Sequence, residues 1–207
     1  MVQNEQKKST IARGRRKILL IAMAAALPLI IAYALFYSGW RPGSTANYGE
    51  LVQPARPIAD ATLLTLDKKK IRFSDWRGKW TLVTFSPAEC LSPCEKNLYN
   101  MRQVIAAQGE EAKRVQSVFI VTDPKALVWL HYAIKDYPGM LVIVGSMEEV
   151  KALARQFLLA DGSLPEVGQR IYLVDPLGNF MMSYPAGADP TGMRKDLARL
   201  LRVSRIG

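Results

Sequence analysis

Residues 78–95 read GKWTLVTFSPAECLSPCE and join a strand pattern to a helix pattern. The apolar, β-branched run from Trp80 to Phe85 is typical of a buried strand. The loop after it contains Cys90 and Cys94, and a helical pattern follows as far as residue 108. Ligand and reaction sites favour the carboxyl ends of such strands. We therefore expect the functional site in this loop.

The segments on both sides of the loop alternate between strand and helix patterns. Strands are expected at residues 62–66, 70–73, 80–85, 115–122, 140–144, 170–174 and 179–184, and helices at residues 95–108, 124–135, 146–157 and 190–201. Ser146 and Glu149 form a capping box at the start of the third helix. Strands separated by helices predict a mainly parallel central sheet, with the late hairpin as an antiparallel partner. The fold class is α/β, with one core in residues 58–207.

A long apolar segment lies near the amino terminus. Residues 18–37 contain no charged side chain, and as a helix they would be about 30 Å long, the thickness of a bilayer core. The basic residues before this segment favour the cytoplasmic side. We expect a basic cytoplasmic tail (1–17), a transmembrane helix (18–37), a Pro- and Gly-rich linker (38–57) and an exported domain (58–207). The alternative is a signal peptide cleaved near Ala34, which also exports the remainder.

From these segments we expect a single-pass protein of the bacterial inner membrane whose carboxyl-terminal domain lies in the periplasm. The net charge of +10 by itself suggests nucleic acid or an anionic membrane as a partner. Half of that excess lies in residues 1–17, where membrane topology explains it, so we expect no nucleic-acid partner. Two cysteines and one histidine exclude a disulfide scaffold and a four-ligand Cys/His zinc site.

Any thiol chemistry must use Cys90, Cys94 or both. If residues 90–94 form a helical turn, the two sulfurs lie on one face and can form a disulfide or hold a soft metal ion. A helix amino terminus stabilises thiolate, whereas Glu89 and Glu95 oppose it. The pair can also be an inert staple, but so short a loop closes little chain entropy. This favours redox or metal chemistry.

On these residues the chain resembles the Sco/SenC family of cytochrome oxidase assembly proteins, which are membrane-anchored and thioredoxin-like. The resemblance covers residues 58–203 and rests on the strand at 78–85, the Cys-x-x-x-Cys spacing, and the Asp-Pro segments at 119–124 and 172–178. It implies a thioredoxin-like fold, with Cys90 and Cys94 as catalytic residues and as metal ligands for Cu(I). It also implies copper delivery to, or thiol reduction of, the copper site in cytochrome c oxidase subunit II, with another assembly factor as an alternative partner.

In this interpretation the protein is a thiol-disulfide oxidoreductase or a Cu(I) carrier, and the loop position of Cys90 suggests the more exposed, attacking thiol. The alternative is a non-catalytic, membrane-tethered interaction module of the same fold. The alternative is supported by a missing ligand: the Sco/SenC family completes its copper site with a histidine shortly before the late strand. Residues 166–171 of this chain, EVGQRI, contain none.

Other residues are weaker candidates for the site. His131, the only histidine, falls in a predicted helix among apolar neighbours, which is typical of packing. A methionine can be a soft third ligand for Cu(I) but usually fills a core; the candidates are Met101, Met181 and Met182. The proline that thioredoxins carry before the late strand is replaced by Gln169 or Arg170, with Pro165 too early, which argues against exchange with many substrates. Glu89 and Asp123 can tune the thiols, although both are typical of solvated loop charges.

Overall fold

The structure is a computed structural model that describes residues 2–38, 47–165 and 170–204. The chain divides into two compact units, residues 1–46 and 47–207. In the first unit, helix α1 (Val2–Tyr37) extends through the expected tail as well as the expected span. Its part Arg15–Tyr37 is long and apolar enough to cross a membrane. The apolar side chains of this part are exposed all round, which suits a lipid environment better than water.

The second unit contains a six-stranded mixed sheet in the order β1-β8-β7-β4-β5-β6. The strands are β1 (Glu50–Pro57), β2 (Thr62–Leu64), β3 (Lys70–Arg72), β4 (Trp80–Ser86), β5 (Val115–Val121), β6 (Leu141–Ile143), β7 (Ile171–Val174) and β8 (Asn179–Tyr184). The helices are α2 (Ser92–Ala106), α3 (Leu127–Ala133), α4 (Met147–Gln156) and α5 (Pro190–Val203). Strands β4, β5 and β6 are parallel, β7 and β8 are antiparallel to their neighbours, and β2 and β3 form a separate hairpin. The predicted α/β class is confirmed.

Strand β1 lies inside the segment that we expected to be a linker. It pairs antiparallel with β8, from Glu50 opposite Ser183 to Pro57 opposite Asn179. The linker expectation is therefore wrong for residues 50–57, while residues 39–46 lie outside the described part of the chain. Proline is tolerated in edge strands because one side of the strand needs no ladder hydrogen bonds. The prolines that indicated a linker are thus compatible with this edge position.

The two faces of the sheet carry separate apolar layers, because successive side chains of a strand point to opposite faces. Val83 and Phe85 of β4 face a core that includes α4 and the residues after it, where Phe157 packs edge-on against Phe85. Leu82 faces the opposite layer, formed with α2 and α5. A third cluster on that same side contains both cysteines and α3. The sheet therefore separates α4 from α2, α3 and α5.

The predicted helix boundaries hold best where a capping signal is present. The amide of Glu149 donates to Ser146 Oγ at 3.3 Å, and the amide of Ser146 donates to Glu149 Oε2 at 2.8 Å. This is the predicted capping box at the start of α4. Helix α2 begins at Ser92, three residues earlier than predicted, with Pro93 in its first turn. Proline suits that position because the first amides of a helix have no intrahelical partner.

Candidate functional site

The cysteine loop lies between the end of β4 and the start of α2, at the carboxyl edge of two parallel strands. The amide of Thr122 donates to the carbonyl of Ser86 at 2.9 Å, which extends the pairing of β4 with β5. The amide of Ala88 donates to the carbonyl of Asp123, also at 2.9 Å. These two bonds attach the cysteine loop to the loop after β5. The site is thus positioned by the core of the sheet, as the strand pattern predicts.

Cys90 and Cys94 form a disulfide with a Cα–Cα distance of 5.0 Å. Residues 90–94 do not form a single helical turn, because α2 begins only at Ser92. Cys90 precedes the helix and has a φ of 42°, in the left-handed region that non-glycine residues rarely adopt. Cys94 lies in the first turn, where its amide donates to the carbonyl of Leu91 at 2.8 Å. The disulfide therefore connects the helix start to the loop before it.

Both cysteines are buried, with 3% of Cys90 and 2% of Cys94 exposed. Cys90 was expected to be the more exposed thiol, but in the disulfide form the two cysteines differ by only one percentage point. Their surroundings are apolar and consist of Ala88, Leu98, Phe119, Val121, Leu130 and Val142. Apolar surroundings disfavour a thiolate, whereas the amino terminus of α2 favours one. The apolar surroundings and the amino terminus of α2 therefore act in opposite directions on the ionisation of a reduced thiol.

Asp123 is turned towards its own loop. Its carboxylate accepts from the amide of Lys125 at 3.1 Å and from Lys125 Nζ at 3.0 Å. These bonds hold the pKa of Asp123 below its ordinary value of 3.8. They also raise the pKa of Lys125, with a smaller contribution from Glu89. The side chain of Asp123 therefore serves the turn, while its backbone carbonyl supports the cysteine loop.

The predicted methionine ligands lie away from the cysteine cluster. Met101 and Met182 are buried in the layer that contains α5, and Met181 packs against that layer. Met140, which the sequence analysis did not single out, packs against the cysteine cluster. Its position just before a short apolar strand is the sequence feature that could have identified it. Met140 is thus the methionine that packs on the cysteine cluster, and the three predicted positions belong to the other layer.

His131 is exposed on α3, and its ring lies 6.4 Å from that of Tyr132. Among the described residues, no group of three or more His, Cys, Asp or Glu side chains is arranged to hold a metal ion. Residues 166–169, where the family resemblance implies a histidine and where Gln169 falls, lie outside the described part of the chain. Pro165 is buried, and Arg170 donates to Ser183 Oγ at 3.0 Å and pairs with Glu50. The sulfurs of Cys90 and Cys94 are the potential soft ligands that the structure brings together.

Helix α3 also carries an exposed apolar stripe. Leu130 packs in the cysteine cluster, whereas Val128, Trp129 and Tyr132 are exposed, Trp129 by 74%. The spacing of these three residues places them on one side of the helix. Exposed aromatic side chains at such a stripe are typical of interaction surfaces. This stripe was not predicted from the sequence, although all three residues lie within one seven-residue helix.

Residues 80–204 match the family described as "Transmembrane-like, thioredoxin-like, C-terminal domain". The chain belongs to this family. Among curated proteins, it is similar to "Protein SCO1 homolog 1, mitochondrial" of Arabidopsis thaliana, with 26% identity over 161 residues. That match covers 70% of this chain but only 47% of the relative, so the chain spans less than half the length of that protein. The resemblance to Sco proteins that the sequence predicts is confirmed.

Solved Sco structures show the same fold. The Arabidopsis thaliana ScoI structure with copper bound has a TM-score of 0.59 and 24% identity, covering 70% of this chain and 98% of that one. The structure of BsSco, described as a member of the Sco family of cytochrome c oxidase assembly proteins with a disulfide switch, has a TM-score of 0.58 and 16% identity. It covers 73% of this chain and 96% of BsSco. At these identities the likeness concerns the thioredoxin-like fold alone.

Proposed function

We propose that this protein is a membrane-anchored, thioredoxin-like assembly factor that acts through the thiols of Cys90 and Cys94. In its reduced form it reduces a disulfide in a partner or passes Cu(I) to it. The destination is the copper site of cytochrome c oxidase, reached through subunit II or another assembly factor. The observation that carries the proposal is the disulfide at the start of α2, on the carboxyl edge of the sheet.

The same proposal places α1 in the bacterial inner membrane, with the basic tail in the cytoplasm and the domain in the periplasm. Two features support this placement, namely the apolar length of Arg15–Tyr37 and the six Lys or Arg residues in residues 1–17. The periplasm is an oxidising compartment. The Cys90–Cys94 pair would therefore need a dithiol donor in the envelope to return to the reduced form after each turnover.

Reduction of a partner proceeds in two exchanges. The thiolate of Cys90 attacks one sulfur of the partner disulfide, forms a mixed disulfide and releases the other partner sulfur as a thiolate. The thiolate of Cys94 then attacks Cys90 Sγ and releases the second partner thiolate, which leaves the Cys90–Cys94 disulfide. Two electrons pass to the partner, and two protons from the reduced pair balance its thiols. Cys90 is assigned the attack because it lies outside the helix, beside the exposed Leu91.

Copper transfer uses the same two sulfurs with Cu(I) as cargo. Thiolates select Cu(I) over harder metal ions, and two of them suffice for a linear site. Such a site fits the donor set of the described residues, since it requires no histidine. Loading with Cu(I) displaces the thiol protons, so affinity should rise with pH.

The test uses the full-length chain in detergent, fully reduced, with a peptide that contains one intramolecular disulfide. If Cys90 attacks, Cys94→Ser accumulates a mixed disulfide with the peptide, whereas Cys90→Ser does not. In parallel, the reduced protein is titrated with Cu(I) against a competing chelator, and Cys90→Ala/Cys94→Ala should lose the site. Ser92→Ala, a change in the same loop that spares both sulfurs, is the matched control. Absence of both peptide reduction and Cu(I) binding in the reduced protein would reject the proposal.

The second candidate function is a non-catalytic interaction module. It is favoured by the burial of both cysteines and by the exposed stripe of Val128, Trp129 and Tyr132 on α3. In a strain that depends on this protein for oxidase activity, Trp129→Ala/Tyr132→Ala should then abolish activity while Cys90→Ala/Cys94→Ala leaves it intact. The reverse pattern supports the thiol function. Met147→Ala, at an exposed position on the opposite face of the sheet, is the control.

A further inference from the structure

We propose that the exposed basic face of α5 docks the domain onto anionic phospholipid headgroups of the membrane that α1 crosses. The inference rests on the proposed membrane anchorage and is independent of the thiol chemistry. It concerns a surface on the side of the sheet opposite α4. Three observations carry it: the charge of α5, a cavity beside it, and the point where the chain enters the domain.

The exposed face of α5 is strongly basic. It carries Arg194, Lys195, Arg199 and Arg202, all exposed, and their spacing places them on one side of the helix. The single acidic residue within the helix, Asp196, is 2% exposed and is directed into the domain. By contrast, α4 carries equal numbers of acidic and basic residues. Clusters of exposed Lys and Arg on one face are typical of surfaces that bind anionic lipid.

A cavity of about 770 Å³ lies between this helix and the segment after α2. Arg114, Arg194 and Arg202 line it, together with Glu111. Arg114 is held by Glu111 at 2.5 Å and by the carbonyls of Leu201 and Ser204. Arg194 and Arg202 are exposed at the cavity and can direct their guanidinium groups to an entering anion. Guanidinium groups match the geometry of phosphate oxygens, so the cavity suits a lipid phosphate.

The chain enters the domain on this same helix. The amides of Tyr48 and Gly49 each donate to the Asp196 carboxylate at 2.9 Å. The ring of Tyr48 lies against Gly192, where a Cβ would come within 2.7 Å of it, and Lys195 Nζ lies 5.3 Å from the ring centre. The first described residues of the domain are therefore fixed to α5.

The connection to the membrane span is short. Nine residues, 38–46, separate Tyr37 at the end of α1 from Asn47. A chain of that length can extend over at most about 35 Å. Since Tyr48 is attached to α5, this short connection leads from the span directly to the helix that carries the basic face. Tethering raises the effective concentration of the surface at the membrane, so modest contacts suffice for docking.

The test uses the full-length chain in lipid nanodiscs made of phosphatidylcholine alone or mixed with phosphatidylglycerol. A photoreactive benzoylphenylalanine replaces Val203, which lies on α5 and is 78% exposed. The same residue placed at Met147 on α4 is the positional control. We expect lipid adducts from position 203 in the anionic discs, few in the neutral discs, and few from position 147 in either. High salt should suppress the adducts from position 203 because it screens the attraction.

Charge variants identify the residues responsible. Each Lys or Arg near an anionic surface is worth roughly fivefold in affinity, so Arg194→Gln/Arg202→Gln should lower the ratio of docked to undocked domain on the order of 25-fold. Lys151→Gln/Arg155→Gln removes the same charge at helical spacing from α4 and should leave the adducts unchanged. Equal adducts in neutral and anionic discs, or an equal loss in both variants, would overturn the proposal.

Two further outcomes distinguish lipid from a protein partner and separate docking from the thiol function. If position 203 crosslinks in cells to a protein instead of lipid, and does so in a manner that depends on Arg194 and Arg202, the partner is an acidic protein and the lipid assignment is wrong. If Cys90→Ala/Cys94→Ala gives the same lipid adducts as the unmodified chain, docking stands even where the thiol function fails. The two proposals can thus fail separately.

Discussion

Reduction of the Cys90–Cys94 disulfide is expected to lower the free energy of unfolding of the domain by no more than about 2 kcal/mol. The closed loop runs over residues 90–94. For so few residues the loss of unfolded-state entropy corresponds to about 2 kcal/mol at room temperature. The left-handed φ of Cys90 costs on the order of 1 kcal/mol, which a reduced loop can release. The two effects oppose each other, so the net loss lies between about 0 and 2 kcal/mol.

The assay is urea unfolding of the full chain in detergent, with and without a thiol reductant, followed by tryptophan fluorescence. Trp76 and Trp80 are buried in the domain and report its unfolding. Cys90→Ala/Cys94→Ala is the control, because its stability should not respond to the reductant. The difference between this variant and the reduced protein gives the packing contribution of the two sulfur atoms.

A loss of more than about 4 kcal/mol on reduction, or unfolding of the reduced domain, would refute this reasoning. Losses of that size are typical of structural disulfides in small secreted domains. In that case the pair would be a staple, and the proposal of reversible thiol chemistry would lose its support. A small loss means that the reduced domain remains stably folded, as a reductant that cycles must.

Three further outcomes are expected. Asp196→Ala should cost about 2–4 kcal/mol in urea unfolding, because the buried amide of Gly49 and the part-buried amide of Tyr48 lose a charged acceptor, while Asp196→Asn should cost about 1–2 kcal/mol. The amide of Thr191 holds the pKa of Asp189 below its ordinary value of 3.8. The charged carboxylate therefore stabilises the fold above pH 3.8, and this stabilisation is lost as the pH falls through the lower pKa of the folded state. Asp189→Asn should flatten the dependence of the free energy of unfolding on pH below about pH 4. Burial raises the pKa of Tyr172 from 10.0 to about 12. The contribution of the neutral phenol to the free energy of unfolding is therefore complete below pH 10.0 and is lost between pH 10.0 and about 12. Tyr172→Phe should remove this part of the loss of stability at alkaline pH.

Much of the fold could be predicted from local patterns. The run from Trp80 to Phe85 has the composition of a strand buried on both faces, and the structure places it near the middle of the sheet. Strand β1 was missed because an edge strand that pairs on one side need not show a regular apolar pattern. Its pairing with β8 joins residues more than a hundred positions apart, and no local pattern contains that information.

The site was predictable in its residues but not in its geometry. Two cysteines in a loop after a buried strand indicated the disulfide or metal chemistry, since no other thiols exist in the chain. The left-handed conformation of Cys90 could not be predicted, because it depends on the contact between the loop and the segment after β5. The position of Met182 depends on where β8 lies in the sheet, and the separation of Met101 from the cysteines depends on which side of α2 faces which helix. That choice is made by the packing of α5, far along the sequence.

Helix α2 connects the two parts of the domain to which we assign functions, the buried disulfide and helix α5. Its first turns, with Cys94 and Leu98, pack in the cysteine cluster, and its later turns, with Met101 and Val104, pack in the layer that contains α5. From Cys94 to Val104 a helix rises about 15 Å. If α5 rests on the membrane, α2 holds the disulfide at a fixed position relative to that surface. Docking then governs which partners the thiols can reach, while the loop geometry governs their reactivity. Loss of the α5 charges should accordingly slow reaction with a membrane-bound partner but leave reaction with a soluble peptide unchanged.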